Sequence, residues 1–355
     1  MAKFRIGFVG VGGIVKGLQI PGIIKSPDLE FTALCDTNKD AMEIVANEYS
    51  IDKSLCFTDY NDLINCSEVD AVSIATPNFT HFPVAMAAVK AGKPYLLEKP
   101  ITMNAKEADE LAEATLKNDI KNMVCFSKRF LGAARYARDL VHAGKLGQIF
   151  HVNVQYFHSW ALPSRKVGLV WRFDKSKAGA GALFDLGSHC ADYVRFVTGE
   201  EFLCVSGRAD TFVKSRPYPD GSMGAVDVDD YCIFHAGLSG GGSAVIHVSN
   251  SAYGRSDYQR LEVYGSEGSL VFQNNVRDIS EDELEICIGE DYANGRIFSK
   301  LPIPKQYKSD QMQSFADILN GCGDGLAATI TDGQKIQHIL EKVQISMHTK
   351  AWETI

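Results

Sequence analysis

Phe4-Arg5-Ile6-Gly7-Phe8-Val9-Gly10-Val11-Gly12-Gly13-Ile14-Val15 is the stretch that decides the fold. Its first six residues make a short apolar run suited to a strand buried on both faces. The segment after the glycines has helix-like spacing. A strand that passes through Gly10, Gly12 and Gly13 into a helix opening near Ile14 lets the backbone approach a pyrophosphate at the helix N-terminus. Asp36 ends the next apolar run, about twenty residues past the fingerprint, where a carboxylate can accept both hydroxyls of a ribose. The pair points to a dinucleotide, and to NAD in preference to NADP, because the carboxylate would repel a 2′-phosphate. Lys39 nearby leaves NADP possible. One position departs from the pattern: Val15 stands where Gly or Ala normally allows close helix–strand packing.

Outward from this stretch, short apolar runs alternate with amphipathic segments. The runs are 4–9, 30–35, 71–75, 94–97 and 122–126, with helical spacing over 40–49, 81–91 and 105–118. This is the sequence form of repeated strand–helix units on a parallel sheet. After Phe126 the pattern changes. A helix is expected over 135–142, then alternating strands at 148–158, 202–213, 229–235, 243–249, 259–264 and 268–272, interrupted by a helix over about 183–198. The tail from Ser309 to Thr349 returns to helical spacing. The expected architecture is an α/β Rossmann domain over 1–127 and an α+β domain over 128–355 with an open, mainly antiparallel sheet. Ser239-Gly240-Gly241-Gly242-Ser243 lacks the Gly-Lys-Ser/Thr ending of a phosphate loop and is expected to join two strands. Residues 214–225, rich in Pro and Gly, are expected to form a flexible surface loop.

Composition limits the function classes. The chain has 355 residues, 45% hydrophobic and 23% charged, which suits a globular fold and excludes disorder as its main state. Lys and Arg number 36 against 44 Asp and Glu, with no run of five like charges. Neither a nucleic-acid face nor a polybasic membrane anchor fits that balance. The nine cysteines include no C-x-x-C pair, which suggests a reducing, cytoplasmic setting. Glycines interrupt the apolar N-terminus, so it reads as neither a signal peptide nor a membrane span.

Three further motifs carry chemistry. Thr76-Pro77-Asn78-Phe79-Thr80-His81 leaves a strand and enters a helix at the carboxyl edge of the sheet, where such folds bind ligands; helix capping alone would also account for it. Glu98-Lys99-Pro100 places Lys99 toward the same edge. An ammonium there can hold a substrate hydroxyl and stabilise a developing alkoxide, although a solvated loop lysine is the bland alternative. Asp185 and His189 are four apart and share a helix face, and imidazole is the natural proton acceptor near neutral pH; a structural His held by an Asp has the same spacing. No third ligand stands at metal spacing, so no metal is expected.

Taken in order, these motifs make the sequence resemble the Gfo/Idh/MocA family of NAD(P)-dependent oxidoreductases, which act on sugars, inositols and related polyols. The resemblance spans nearly the whole chain and rests on Gly10 onward, Thr76-Pro77-Asn78 with His81, Glu98-Lys99-Pro100, and Gly179-Ala180-Gly181-Ala182-Leu183-Phe184-Asp185 running into His189. Ala180 replaces a common glycine. The resemblance implies that Lys99, Asp185 and His189 are the catalytic set and that the Lys99–Pro100 bond is cis. It also implies that Trp171 and Arg172 reach the cofactor or substrate, and that the protein is a homodimer or homotetramer. Tyr156 and His158, two apart on one strand face, are expected to line the substrate side. Two other activities fit the same motifs: redox-neutral, NAD-dependent glycoside cleavage, and non-catalytic sugar sensing.

Overall fold

The computed structural model describes residues 2–274, 283–295 and 297–355. The chain forms two compact units, one of residues 1–127 with 309–335, the other of 128–308 with 336–355. The sequence pattern groups the whole of 128–355 together; the segment 309–335 instead joins the first unit. The helix Gln311–Asn320 buries Met312, Phe315 and Ala316, and a Cβ on Gly22 would sit 2.5 Å from the Met312 side chain. This contact is close enough that only glycine fits opposite Met312.

In the first unit, β1 (Phe4–Val9), β2 (Leu29–Cys35), β3 (Cys56–Phe57), β4 (Ala71–Ile74), β5 (Tyr95–Leu97) and β6 (Asn122–Val124) form one sheet in the order β3-β2-β1-β4-β5-β6. All neighbouring pairs are parallel. Strand order reverses between β1 and β4, and such a switch point opens a crevice at the carboxyl ends of the strands. Ile6, Phe8, Ala71, Val72, Leu96 and Leu97 are fully buried, as strands covered by helices on both faces require. Asn38 and Asn104 cap the helices Lys39–Tyr49 and Ala105–Lys117 by accepting from Ala41 N and Glu107 N, each at 3.0 Å.

The second unit holds a nine-stranded sheet. Its strands are β7 (Ile149–Phe157), β8 (Phe202–Asp210), β11 (Tyr231–Leu238), β12 (Ser243–Ser249), β13 (Tyr258–Gly265), β14 (Gly268–Asn274), β15 (Glu283–Ile288), β16 (Ser299–Lys300) and β17 (Glu353–Thr354). The order is β16-β15-β14-β13-β7-β12-β11-β8-β17, antiparallel throughout except that β12 runs parallel to β7. A short hairpin, β9 (Ser215–Pro217) with β10 (Met223–Ala225), replaces the loop expected at 214–225. It is anchored by Arg216, whose buried guanidinium donates to the carbonyls of Ala161 and Val167 and lies over the Phe173 ring. The glycine-rich 239–243 stretch joins β11 to β12, as expected. No helix among the described residues is long and apolar enough to cross a membrane, and all nine cysteines are free thiols.

Candidate active site

In the first unit the site is built around the β1–helix turn. Gly10 has φ +95°, and a Cβ there would lie 2.5 Å from the Ala75 carbonyl, so glycine is required by both conformation and contact. Gly12 and Gly13 face open space, with nothing within 4 Å of where a Cβ would be, and Ile14 is 43% exposed beside them. The turn is thus an open cradle with bare backbone. Val15 is fully buried, and the helix starts as a wider π turn over Val15–Gln19 before Ile20–Lys25. The Asp36 carboxylate is held rigidly at the end of β2: Val11 N donates to one oxygen at 2.9 Å and Asn38 N to the other at 2.8 Å. Each oxygen keeps a lone pair for a further donor. These features fit a dinucleotide: a cradle for its pyrophosphate and a fixed carboxylate for a ribose.

Thr76, Pro77 and Asn78 follow β4 directly, with Asn78 buried. Thr80 donates from its hydroxyl to Pro77 O at 2.8 Å and meets Thr76 Oγ1 at 2.7 Å. His81 lies between two loops, its Nδ1 2.7 Å from Pro100 O and its Nε2 2.9 Å from Thr76 O. Burial pulls its pKa down, against the raising effect of the two carbonyls. The neutral ring donates to one of these two carbonyls and packs between the Thr76 loop and the Lys99–Pro100 turn, whose peptide bond is cis. Glu98, half-buried next to Lys99, accepts from Gln19 Nε2 at 2.9 Å; burial raises its pKa.

In the second unit, the helix that carries Asp185 and His189 opens as a π turn over Leu183–Gly187 and continues as an α-helix over Ser188–Thr198. π turns recur at functional sites. Asp229 clamps its start. Gly181 N donates to Oδ1 at 2.7 Å, Leu183 N to Oδ2 at 2.8 Å, and Ala182 N to the backbone oxygen at 2.9 Å. A Cβ on Gly181 would lie 1.9 Å from that same oxygen. The glycine is thus needed for the close approach of the chain's own Asp229.

Around this helix the unit gathers a polar group. The Tyr156 ring lies 6.0 Å from the His189 ring and 5.3 Å from the His158 ring. Burial, then the charges of Asp257 and Asp185, raise the Tyr156 hydroxyl well above its ordinary pKa, so it stays protonated. The expected Tyr156, His158, Asp185 and His189 are thereby brought together. Two members carry no motif: Lys128, just beyond the last strand of the first sheet, and Asp257, in the turn before β13. A basic residue past a sheet edge and an Asp in a Ser-Asp turn were the only signals available. Arg129, next to Lys128, is anchored by Asp192 of the His189 helix through Nε–Oδ2 at 2.8 Å. Trp171 and Arg172 belong to another cluster: Trp171 packs with Trp160, Val167 and Leu169 around Phe173, and the Arg172 guanidinium lies 4.5 Å from the Trp171 ring centre. No group of metal-ligating side chains occurs among the described residues.

Residues 4–126 match the model of an oxidoreductase family with an NAD-binding Rossmann fold, and 134–271 match the Gfo/Idh/MocA C-terminal domain. The chain is 30% identical over 350 residues to levoglucosan dehydrogenase of Pseudarthrobacter phenanthrenivorans, covering 90% of this chain and 88% of that protein. It is 30% identical over 336 residues to 1,5-anhydro-D-fructose reductase of Ensifer adhaerens, covering 93% and 92%. A solved levoglucosan dehydrogenase in complex with NADH and L-sorbose superposes with a TM-score of 0.89 at 26% identity, over 100% of this chain and 99% of that one. With a cradle and fixed carboxylate at its first sheet and a polar cluster on its second unit, the chain belongs to the Gfo/Idh/MocA family of NAD-binding oxidoreductases.

Proposed function

We propose that the protein is a dehydrogenase of neutral sugars or related polyols that prefers NAD. The grouping of His189, Tyr156 and Asp185 in one polar cluster carries this reading: it sets a proton acceptor among hydrogen-bonding groups suited to hydroxyls. Relatives named for levoglucosan and 1,5-anhydro-D-fructose support a sugar substrate. The Gly10 turn, Asp36, Thr76, Pro77 and Asn78 would hold the dinucleotide, whose nicotinamide, when bound, accepts a hydride at C4.

His189 takes the proton from the substrate hydroxyl, Lys99 stabilises the oxygen as negative charge develops there, and Asp185 orients the substrate or His189. In the reverse direction the protonated His189 returns the proton to a ketone oxygen. The buried His81 ring, packed between the Pro100 and Thr76 carbonyls, helps to fix the lysine's backbone. The preference for NAD rests on Asp36, whose carboxylate is pinned by Val11 N and Asn38 N and cannot swing away from a 2′-phosphate.

Absorbance at 340 nm with NAD and a panel of anhydrosugars, aldoses and inositols tests the reading. NADH formation with at least one neutral member is expected. Tight NADH binding with no turnover of any of them would refute it.

A further inference from the structure

Beneath the Lys99 turn, the core of the first unit holds a polar chain. On the helix that leaves the nucleotide cradle, Val15 and Gln19 are fully buried, while Lys16, Gly17 and Leu18 between them are exposed. Gln19 closes the π turn, a feature that recurs at functional sites, and its amide reaches groups from three strands. Its Oε1 accepts from the Ser73 hydroxyl on β4 at 2.7 Å. Its Nε2 donates to Glu98 Oε1, just past β5, at 2.9 Å and to Cys125 Sγ, just past β6, at 3.7 Å. Ser73 and Cys125 are buried as well. The amide thus uses its oxygen and both its hydrogens inside the core. Turned over, it would press its oxygen against the Glu98 carboxyl, so its orientation is set. Burial, then the Glu98 charge, raise the Cys125 thiol well above its ordinary pKa, so it stays protonated.

The surrounding positions are apolar: Val72, Ile74, Leu96, Leu97 and Val124 are fully buried. Methionine would fill such a place without burying polar atoms, whereas an amide is tolerated there when its partners are all present. What the amide adds is a direct tie between the helix of the cradle and the residue that precedes Lys99. The backbone holds the same point from the other side, with Glu98 N donating to Ile74 O at 2.9 Å and Cys125 N to Leu97 O at 2.8 Å. Lys99 therefore leaves the sheet from a residue fixed through both its backbone and its side chain.

We propose that Gln19 is a positioning residue: by holding Glu98 it fixes the backbone from which Lys99 reaches the reacting oxygen, and it joins that backbone to the helix of the cradle. The role given to Lys99 rests on the dehydrogenase reading.

Gln19→Met keeps the length of the side chain and removes these hydrogen bonds. In the full-length protein kcat is expected to fall about ten- to hundredfold, the scale of a displaced reacting group, with substrate KM and NADH affinity within about twofold of wild type. Backbone hydrogen exchange, read by mass spectrometry without substrate, is expected to quicken in the peptide 95–103 and to stay unchanged in peptides of the second unit. Gln19→Glu is the conservative variant. The groups that face position 19 are Glu98, with Lys99 beside it in the chain, and the Cys125 thiol. A protonated Glu at 19 can donate to Glu98 and accept from Ser73, whereas an ionised one repels the Glu98 carboxylate. Its kcat is therefore expected to be near that of wild type at acidic pH and to fall away from it as pH rises, while the deficit of Gln19→Met stays level with pH. A kcat within about twofold of wild type in Gln19→Met, or a ratio for Gln19→Glu that does not fall with pH, overturns the proposal. If Gln19→Met does not fold, Gln19→Glu decides alone. A wild type that oxidises no polyol refutes the dehydrogenase reading, and exchange still decides the positioning claim: unchanged uptake at 95–103 in the variant that folds overturns it.

Discussion

Replacing Asp229 tests whether the clamp on the Asp185–His189 helix does what its geometry suggests. Asp229→Ala removes the acceptors of Gly181 N and Leu183 N but leaves the backbone oxygen that accepts from Ala182 N. Each hydrogen bond to a charged group contributes about 1.5–3 kcal/mol. Asp229 is half-buried, so water can partly replace the lost acceptors, and the lower value applies to both. The expected loss is about 3 kcal/mol. Asp229→Asn keeps one acceptor oxygen and turns an amide donor toward the other N–H, so about half that loss is expected. All three tryptophans, Trp160, Trp171 and Trp352, lie in the second unit, so their fluorescence during denaturant unfolding reports on the unit that holds the clamp. Turnover should fall alongside, with NADH affinity unchanged, because the nucleotide cradle belongs to the first unit. If both variants unfold within about 0.5 kcal/mol of wild type, the range of ordinary surface changes, Asp229 does not hold the helix start.

Asp36→Ala should lower NAD affinity roughly ten- to hundredfold, the value of hydrogen bonds from ribose hydroxyls to a charged acceptor, and should narrow the gap to NADP; equal loss for both cofactors by fluorescence titration would contradict the NAD preference. His81 gives a pH prediction. Its folded pKa lies below the ordinary 6.5, so its contribution is present above that value and is lost as pH falls through 6.5 toward the folded pKa, where the unfolded chain binds the extra proton. Denaturation curves of wild type should therefore lose stability below about pH 6.5 more steeply than those of His81→Gln, and parallel curves would show that the ring is not held neutral.

The Rossmann half was legible in sequence because its determinants are local. Buried parallel strands must be apolar, and Gly10 must be glycine where a Cβ would strike Ala75 O. Asp36 was legible for the same reason, since strand length and helix length fix its distance from the turn. The return of 309–335 to the first unit was not, because helical periodicity records that a face is buried and not against what. Gly181 shows the same limit: what requires glycine there is the Asp229 backbone, 48 positions along the chain. Lys128 and Asp257 meet only through tertiary folding, 129 positions apart, and neither neighbourhood has a pattern that would mark it. The family resemblance implies a cofactor or substrate contact for Trp171 and Arg172, and within their own unit Trp171 packs with Trp160 around Phe173 and the Arg172 guanidinium lies over the Trp171 ring.

In the proposed mechanism Lys99 acts on the reacting oxygen while other groups hold the nucleotide. The most direct measurement is steady-state turnover of Lys99→Ala on the best neutral substrate, with NADH affinity measured on the same preparation. A fall of about 10²–10³-fold in kcat, the scale found when one donor to a developing oxyanion is removed, with NADH affinity within twofold of wild type, is the predicted result. Unaltered kcat with weakened NADH binding would contradict it, and would make Lys99 a cofactor ligand.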